Sequence, residues 1–321
     1  MPPRRILVTG GAGQVAADLV PVLRKLHGAE NIVAAGHETQ PSEAVRDGGP
    51  FEYVDACSYQ AMERLVRKYD IGVIYHLATI LSGEGEQNPG LAWNVNIGSL
   101  KVVLDLALET NVDQVFWPSS IAVFGPAAPT EDTPQQTVLE PTTMYGVSKV
   151  AGESLCNYYN IKYGLDVRSL RYPGLINHKA FSGGGTSDYA VEVFIAAVKE
   201  GHYTCFVDSD TMMPMMYMDD GIKATVDLMA AGASDLSVRT SYNISALSFT
   251  AGEIAAAVSD KVPDFTYDFV PDFRQEIANS WPNSVDDSVA RRDWGWSPEY
   301  DLQALVEVML REIRLKFGKS N

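Results

Sequence analysis

Short apolar runs recur along the first half of the chain at residues 5–9, 31–35, 72–76, 114–118 and 167–171, with a further strand-like segment at Phe51-Glu52-Tyr53-Val54. Between them lie stretches of helical periodicity, roughly 13–27, 59–69, 90–110 and 145–163. Short apolar runs read as strands buried on both faces, and the amphipathic stretches as helices crossing between them. The alternation predicts βαβ units with right-handed crossovers, hence an α/β fold built on a doubly wound parallel sheet. After about residue 174 the rhythm breaks at Gly183-Gly184-Gly185, at a methionine-rich segment from Met212 to Met218, and at Pro263, Pro271 and Pro282. The expected organisation is a first domain of residues 1–174 plus about 212–243. A smaller, discontinuous C-terminal lobe, about 175–211 and 244–321, would cover the carboxyl edge of the sheet. The methionines around Pro214 read as filler for an irregular core.

Composition narrows the function classes. The 321 residues are 46% hydrophobic, enough for a substantial core, and carry 25 basic against 41 acidic side chains. No block of Lys or Arg stands out, so neither a nucleic acid nor an anionic membrane is expected as a partner. No apolar run reaches the roughly 18 residues of a spanning helix, and Met-Pro-Pro-Arg-Arg leads straight into the first strand without a signal-like apolar region. Cys57, Cys156 and Cys205 are too scattered for a disulfide framework or a metal knuckle. They read as buried thiols of a cytoplasmic protein, with no metal site expected.

Thr9-Gly10-Gly11-Ala12-Gly13-Gln14-Val15-Ala16 follows the first strand and opens the first helix. Glycines there let the backbone approach a pyrophosphate, and the helix N-terminus supplies N–H donors and partial positive charge. In that setting the glycine pattern predicts a Rossmann-type dinucleotide site. The second strand ends in Gly36-His37, with Glu38 next, rather than in the usual acidic residue. No Arg stands near to meet a 2′-phosphate, so NAD is expected over NADP, with His37 or Glu38 contacting the ribose. Asp55, closing the third strand, reads either as a helix cap or as an adenine contact.

Tyr145 and Lys149, four apart on a predicted helix, share one face. An ammonium beside a phenol favours the phenolate, which can take a proton from an alcohol. His76-Leu77-Ala78 and Ser119-Ser120 fall at the carboxyl ends of the fourth and fifth strands, where open α/β sheets bind ligands. Ser120 would then face the same crevice as Tyr145 and hold the reacting oxygen, unless it is merely a turn residue.

In this order, Thr9–Ala16, Asp55, His76–Ala78, Asn96, Ser119–Gly125, Tyr145–Lys149 and Arg171-Tyr172-Pro173-Gly174 resemble the extended short-chain dehydrogenase/reductase family over nearly the whole chain. The resemblance implies a catalytic triad of Ser120, Tyr145 and Lys149, with Asn96 positioning the active-site helix. It implies NAD contacts from Gly10, Gly13, Gln14, Val15, His37, Asp55, Ala56, Leu77, Ala78, Asn96, Tyr145, Lys149, Tyr172 and Leu175. It also implies a homodimer across the helices near 92–110 and 145–163.

Finer matches resemble the L-threonine 3-dehydrogenase branch. They are His76-Leu77-Ala78 with Leu81-Ser82, Trp117–Gly125, Gly183–Ala190, Pro214–Asp220 and Ser280-Trp281-Pro282. That branch implies oxidation of the L-threonine 3-hydroxyl to 2-amino-3-oxobutanoate, with Ser82, Ser120, Tyr145, Thr186, Ser187 and Trp281 around the amino acid. Asp188 would either order its loop or face the ammonium. Independently, the only Lys and Arg between residues 175 and 285 are Lys179, Lys199, Lys223, Arg239, Lys261 and Arg274, and Met212-Met213-Pro214 stands where sugar-nucleotide relatives commonly carry an Arg. A diphosphate-sugar ligand calls for Arg clamps in this lobe; a small zwitterion does not. The competing readings are a sugar-nucleotide epimerase or dehydratase and a non-catalytic dinucleotide-binding regulator.

Overall fold

The computed structural model describes residues 4–179 and 185–318. Its central sheet has six strands: β1 (Arg5–Thr9), β2 (Ile32–Gly36), β3 (Phe51–Tyr53), β4 (Ile71–His76), β5 (Gln114–Phe116) and β6 (Asp166–Arg168). All pairings are parallel, in the order β3-β2-β1-β4-β5-β6, so the winding of the sheet reverses between β1 and β4. This is the doubly wound arrangement predicted from the alternation of elements. On one face, the helix Gln14–His27 packs Leu19, Val20 and Leu23 with Met216, Met218 and Ile222. Against the other face, Met62 and Leu65, Leu100 and Val103, and Cys156 enter a second core.

Two predicted strands stop short, for one reason. The backbone of β5 ends at Phe116 because Pro118 has no N–H with which to continue the ladder. Trp117 N–H still reaches the Arg168 carbonyl at 3.0 Å, but at Ser169 the partner changes to Tyr242. The predicted run 167–171 is therefore divided. Asp166–Arg168 stays in the central sheet, while Leu170–Tyr172 lies between Ser119–Ser120 and Tyr242–Asn243 in a second, parallel sheet.

Beyond residue 174, Gly174–Ile176, Met212–Tyr217 and Leu247–Thr250 form a three-stranded sheet, and His202–Cys205 pairs with Thr266–Phe269. Met213, Met215, Met216 and Met218 are buried, as filler should be. A separate core gathers Phe194, Met215, Ile254, Trp281 and Leu310 from these later elements.

Two expectations need correction. The 21-residue stretch Pro89–Glu109 is long and apolar enough to pass for a membrane span. Its apolar side is instead spent on the sheet, where Leu100, Val103, Leu104, Leu106 and Ala107 are buried. Cys57 is exposed, in the turn after β3, whereas Cys156 and Cys205 are buried.

Candidate active site

The turn from β1 to the first helix is shaped by close backbone contacts. Gly10 has φ +67°, and a Cβ added there would lie 2.7 Å from both the Leu77 carbonyl carbon and the Ala78 nitrogen. Gly11 N–H donates to the Ala35 carbonyl at 2.7 Å, so the turn is held against β2 as well as β4. Gly13 caps a helix whose first turn carries no acidic residue, leaving its partial positive charge unopposed at the cavity mouth. Gly10, Gly13, Gln14 and Val15 all line one cavity of about 550 Å³.

His37, Asp55, Ala56, Leu77, Ala78, Tyr172 and Leu175 line the same cavity. Glu38 does not; its carboxylate lies 4.0 Å from the exposed His37 ring, on the solvent side. The cap alternative for Asp55 fails, because Ser58 caps the helix Tyr59–Tyr69. Asp55 instead accepts the Cys57 N–H at 2.9 Å and turns the chain along the cavity rim.

Thr143 caps the helix Met144–Tyr163 by accepting the Gly146 N–H at 3.1 Å. Gly146 and Gly152 let that helix lie flat on the 117–122 segment, since a Cβ at either would strike the Ala122 carbonyl or the Trp117 ring. Lys149, 1% exposed, donates to the Pro118 carbonyl at 2.7 Å and sits 4.5 Å from the Trp117 ring centroid. Ser120 lines the same cavity as Tyr145 and also caps the turn that follows it, accepting the Ala122 N–H at 3.2 Å.

The direct ammonium–phenol pairing read from the spacing is not made. The Lys149 ammonium lies 5.3 Å from the Tyr145 ring centroid and is spent on the carbonyl of Pro118. Burial pushes Tyr145 up to about 12, partly opposed by the neighbouring Ser120 hydroxyl, and pulls Lys149 down to about 7. Desolvation outweighs the nearby Cys156 and Glu153, which favour the charged lysine.

This has a thermodynamic consequence. Between about 7 and 10.5 the unfolded chain holds the Lys149 proton that the native chain releases. Stability should therefore rise with pH across that window, by at most about 1.4 kcal/mol per pH unit. The opposite contribution of Tyr145 begins only above its ordinary value of 10.0. Calorimetric Tm values from about pH 7 to about pH 9 should show the rise. Lys149→Met should flatten it, and an equal slope in that variant would contradict the burial effect.

His76 is fully buried between the Thr9 hydroxyl at 2.7 Å and the Ser99 hydroxyl at 2.9 Å. Burial, reinforced by the Lys149 charge, holds its pKa near 3, so it is a neutral strut joining β1 to the Ser99–Glu109 helix. Asn96 is set back from the cavity. It lies in a π-helical turn, Asn94–Gly98, that the sequence did not signal. Its amide donates to Ser148 at 3.0 Å and to the Ile80 carbonyl at 3.1 Å, tying the active-site helix to the end of β4.

Ser82, Thr186, Ser187, Asp188 and Trp281 line the same cavity as Ser120 and Tyr145. The Asp188 carboxylate accepts the Gly185 N–H at 2.7 Å, which orders the end of its loop. Gly183 and Gly184 lie outside the described residues. Thr79, Ile80, Ile121 and Pro173 also line the cavity and were not singled out, although each adjoins a recognised motif. Among the described lining residues Lys149 is the only Lys or Arg.

A sequence model described as the NAD dependent epimerase/dehydratase family matches residues 6–245. The chain belongs to this family. An uncharacterized epimerase/dehydratase of Staphylococcus aureus (strain USA300) is 45% identical over 314 residues, 98% of each chain. Among solved structures of the family's fold, a GalE-like L-threonine dehydrogenase from Cupriavidus necator in its holo form is 47% identical, with a TM-score of 0.94 over 96% of this chain and 99% of that one. A monomeric L-threonine 3-dehydrogenase from a metagenome is 44% identical, with a TM-score of 0.93 over 97% and 99%.

Proposed function

We propose that the protein is an NAD-dependent L-threonine 3-dehydrogenase. The observation that carries this reading is one cavity that joins the glycine turn, the Ser120–Tyr145–Lys149 group and a wall of Ser82, Thr186, Ser187 and Trp281, with a single Lys or Arg among its described lining residues. Its likeness to solved L-threonine dehydrogenases along almost its full length supports the choice of substrate. A zwitterion needs hydroxyl and backbone partners, whereas a sugar diphosphate would leave its charges unmatched at the Ser82, Thr186, Ser187 and Trp281 wall, away from the helix N-terminus that serves NAD.

When bound, NAD supplies the hydride acceptor and a cationic ring. Ser120 hydrogen-bonds the substrate's 3-oxygen, and Tyr145 takes the hydroxyl proton as the 3-carbon loses hydride. Lys149 would hold the nicotinamide ribose, and its charge would add to the field that favours the phenolate. His37 and Asp55 would hold the adenosine end. Trp281 is an apolar wall that keeps water from the reacting carbon. In this reading residues 1–174 with about 212–243 bind the dinucleotide, and about 175–211 with 244–321 bind the amino acid.

We propose further that the enzyme is a cytoplasmic homodimer. Leu91, Trp93, Val147, Tyr158 and Ile161, exposed on the helices Pro89–Trp93 and Met144–Tyr163, form the apolar surface this requires. A monomeric mass by light scattering, as the metagenomic relative's name describes, would overturn the dimer. For the activity, purified protein should reduce NAD with L-threonine, more slowly with L-serine, and not with D-threonine or UDP-glucose. Tight UDP-glucose binding without threonine oxidation would overturn the assignment.

A further inference from the structure

Beneath Ser120 lies a buried charge network that the reaction does not use directly. Glu153 and Arg171 form a two-pronged ion pair, Arg171 Nε to Oε1 at 2.9 Å and Nη2 to Oε2 at 2.8 Å. Both side chains are at most 4% exposed. The same Oε1 accepts the Ser119 hydroxyl at 2.6 Å. Arg171 Nη1 donates to the Gln135 carbonyl and to Asn243 Oδ1, each at 3.0 Å. Its guanidinium lies 5.1 Å from the centroid of the Phe124 ring.

The residues so joined belong to three elements that each carry part of the site. Glu153 is on the helix of Tyr145 and Lys149, one turn beyond the lysine. Ser119 immediately precedes Ser120, and Arg171 immediately precedes Tyr172. The two short strands are in register, Ser119 opposite Arg171 and Ser120 opposite Tyr172. That ladder spans only two residue pairs, too few to fix the serine strand against the helix by backbone bonds alone.

We propose that Glu153 is a positioning residue for the dehydrogenase reaction. Its carboxylate, oriented by Arg171, holds Ser119 and thereby sets the Ser120 hydroxyl against the Tyr145 phenol. This rests on the dehydrogenase reading for its kinetic expression, though not for its geometry. A buried ion pair contributes little net stability compared with apolar packing, so we read its two-pronged geometry as directional. The Glu153 carboxylate makes its hydrogen bonds to Arg171 and Ser119, and Lys149 makes its own to the Pro118 carbonyl.

Ser119→Ala is the mild test, because it removes one hydrogen bond and leaves the Glu153–Arg171 pair intact. Loosened alignment of reacting groups lowers the chemical step by about tenfold or more. We expect kcat with L-threonine to fall by about tenfold, while the Kd for NAD, the KM for L-threonine and Tm stay near wild type. Glu153→Gln, which keeps an acceptor oxygen for Ser119, should retain more activity than Glu153→Ala if both fold. Wild-type kcat in Ser119→Ala would overturn the proposal. If wild-type protein itself fails to oxidise L-threonine, the dehydrogenase reading falls instead. Crystal structures then decide the positioning role, and a Ser120 hydroxyl unmoved relative to the Tyr145 phenol in Ser119→Ala would overturn it.

Discussion

Tyr145→Phe is expected to lose almost all turnover with L-threonine while still binding NAD. The substitution deletes the phenol oxygen and leaves the ring that packs against the later core. Positioned general-base catalysis accounts for roughly 10²–10⁴-fold in rate, and a fall of that size in kcat is the predicted outcome. NADH formation with saturating L-threonine measures kcat, and fluorescence titration measures the cofactor. Turnover near wild type would remove Tyr145 from the reaction. Loss of NAD binding along with turnover would mean that the hydroxyl serves the cofactor site rather than proton transfer alone.

Gly10→Ala should destabilise the fold and weaken NAD binding together. Alanine at φ +67° incurs the left-handed strain of roughly 1–2 kcal/mol. Its Cβ also has no room, because the nearest atoms, 2.7 Å away, are backbone of Leu77 and Ala78. The turn must withdraw from β4, and that moves the helix N-terminus away from the cavity. We expect a loss of about 3 kcal/mol, at the upper end for single substitutions, and at least a tenfold rise in the NAD Kd. Gly164→Ala is the control. Its φ of +72° carries the same strain, but nothing lies within 4 Å of the added methyl. Equal Tm and NAD affinity in the two variants would show that the close approach to β4 is unimportant.

Much of this site could be read locally. The glycine turn, the Tyr145–Lys149 spacing and the serines after β5 are contiguous motifs whose chemistry depends on neighbours in the chain. Asp55 was ambiguous, because choosing between cap and cavity needs the position of Ser58 relative to the helix start. Cys57 was misread as buried because burial depends on what packs over a turn. The run 167–171 looked like one strand because apolar periodicity does not reveal a change of partner at Ser169. The π-helical turn around Asn96 adds a residue without any change in the apolar pattern.

The alternation of apolar and helical segments was enough to establish the parallel sheet, because each element's buried face is written in its own periodicity. The same holds for the location of the chemistry, since strand ends in such a sheet face a common crevice. Protonation was a different matter. Whether Lys149 sits by the phenol or on Pro118, and whether Tyr145 is pushed up or down, depends on desolvation by residues far away in the chain. So does the link from Ser119 through Glu153 to Arg171, with separations of 34 and 18 residues. Charge energies depend on distance and burial in three dimensions, and those were settled only when the helix Met144–Tyr163 lay down on Trp117.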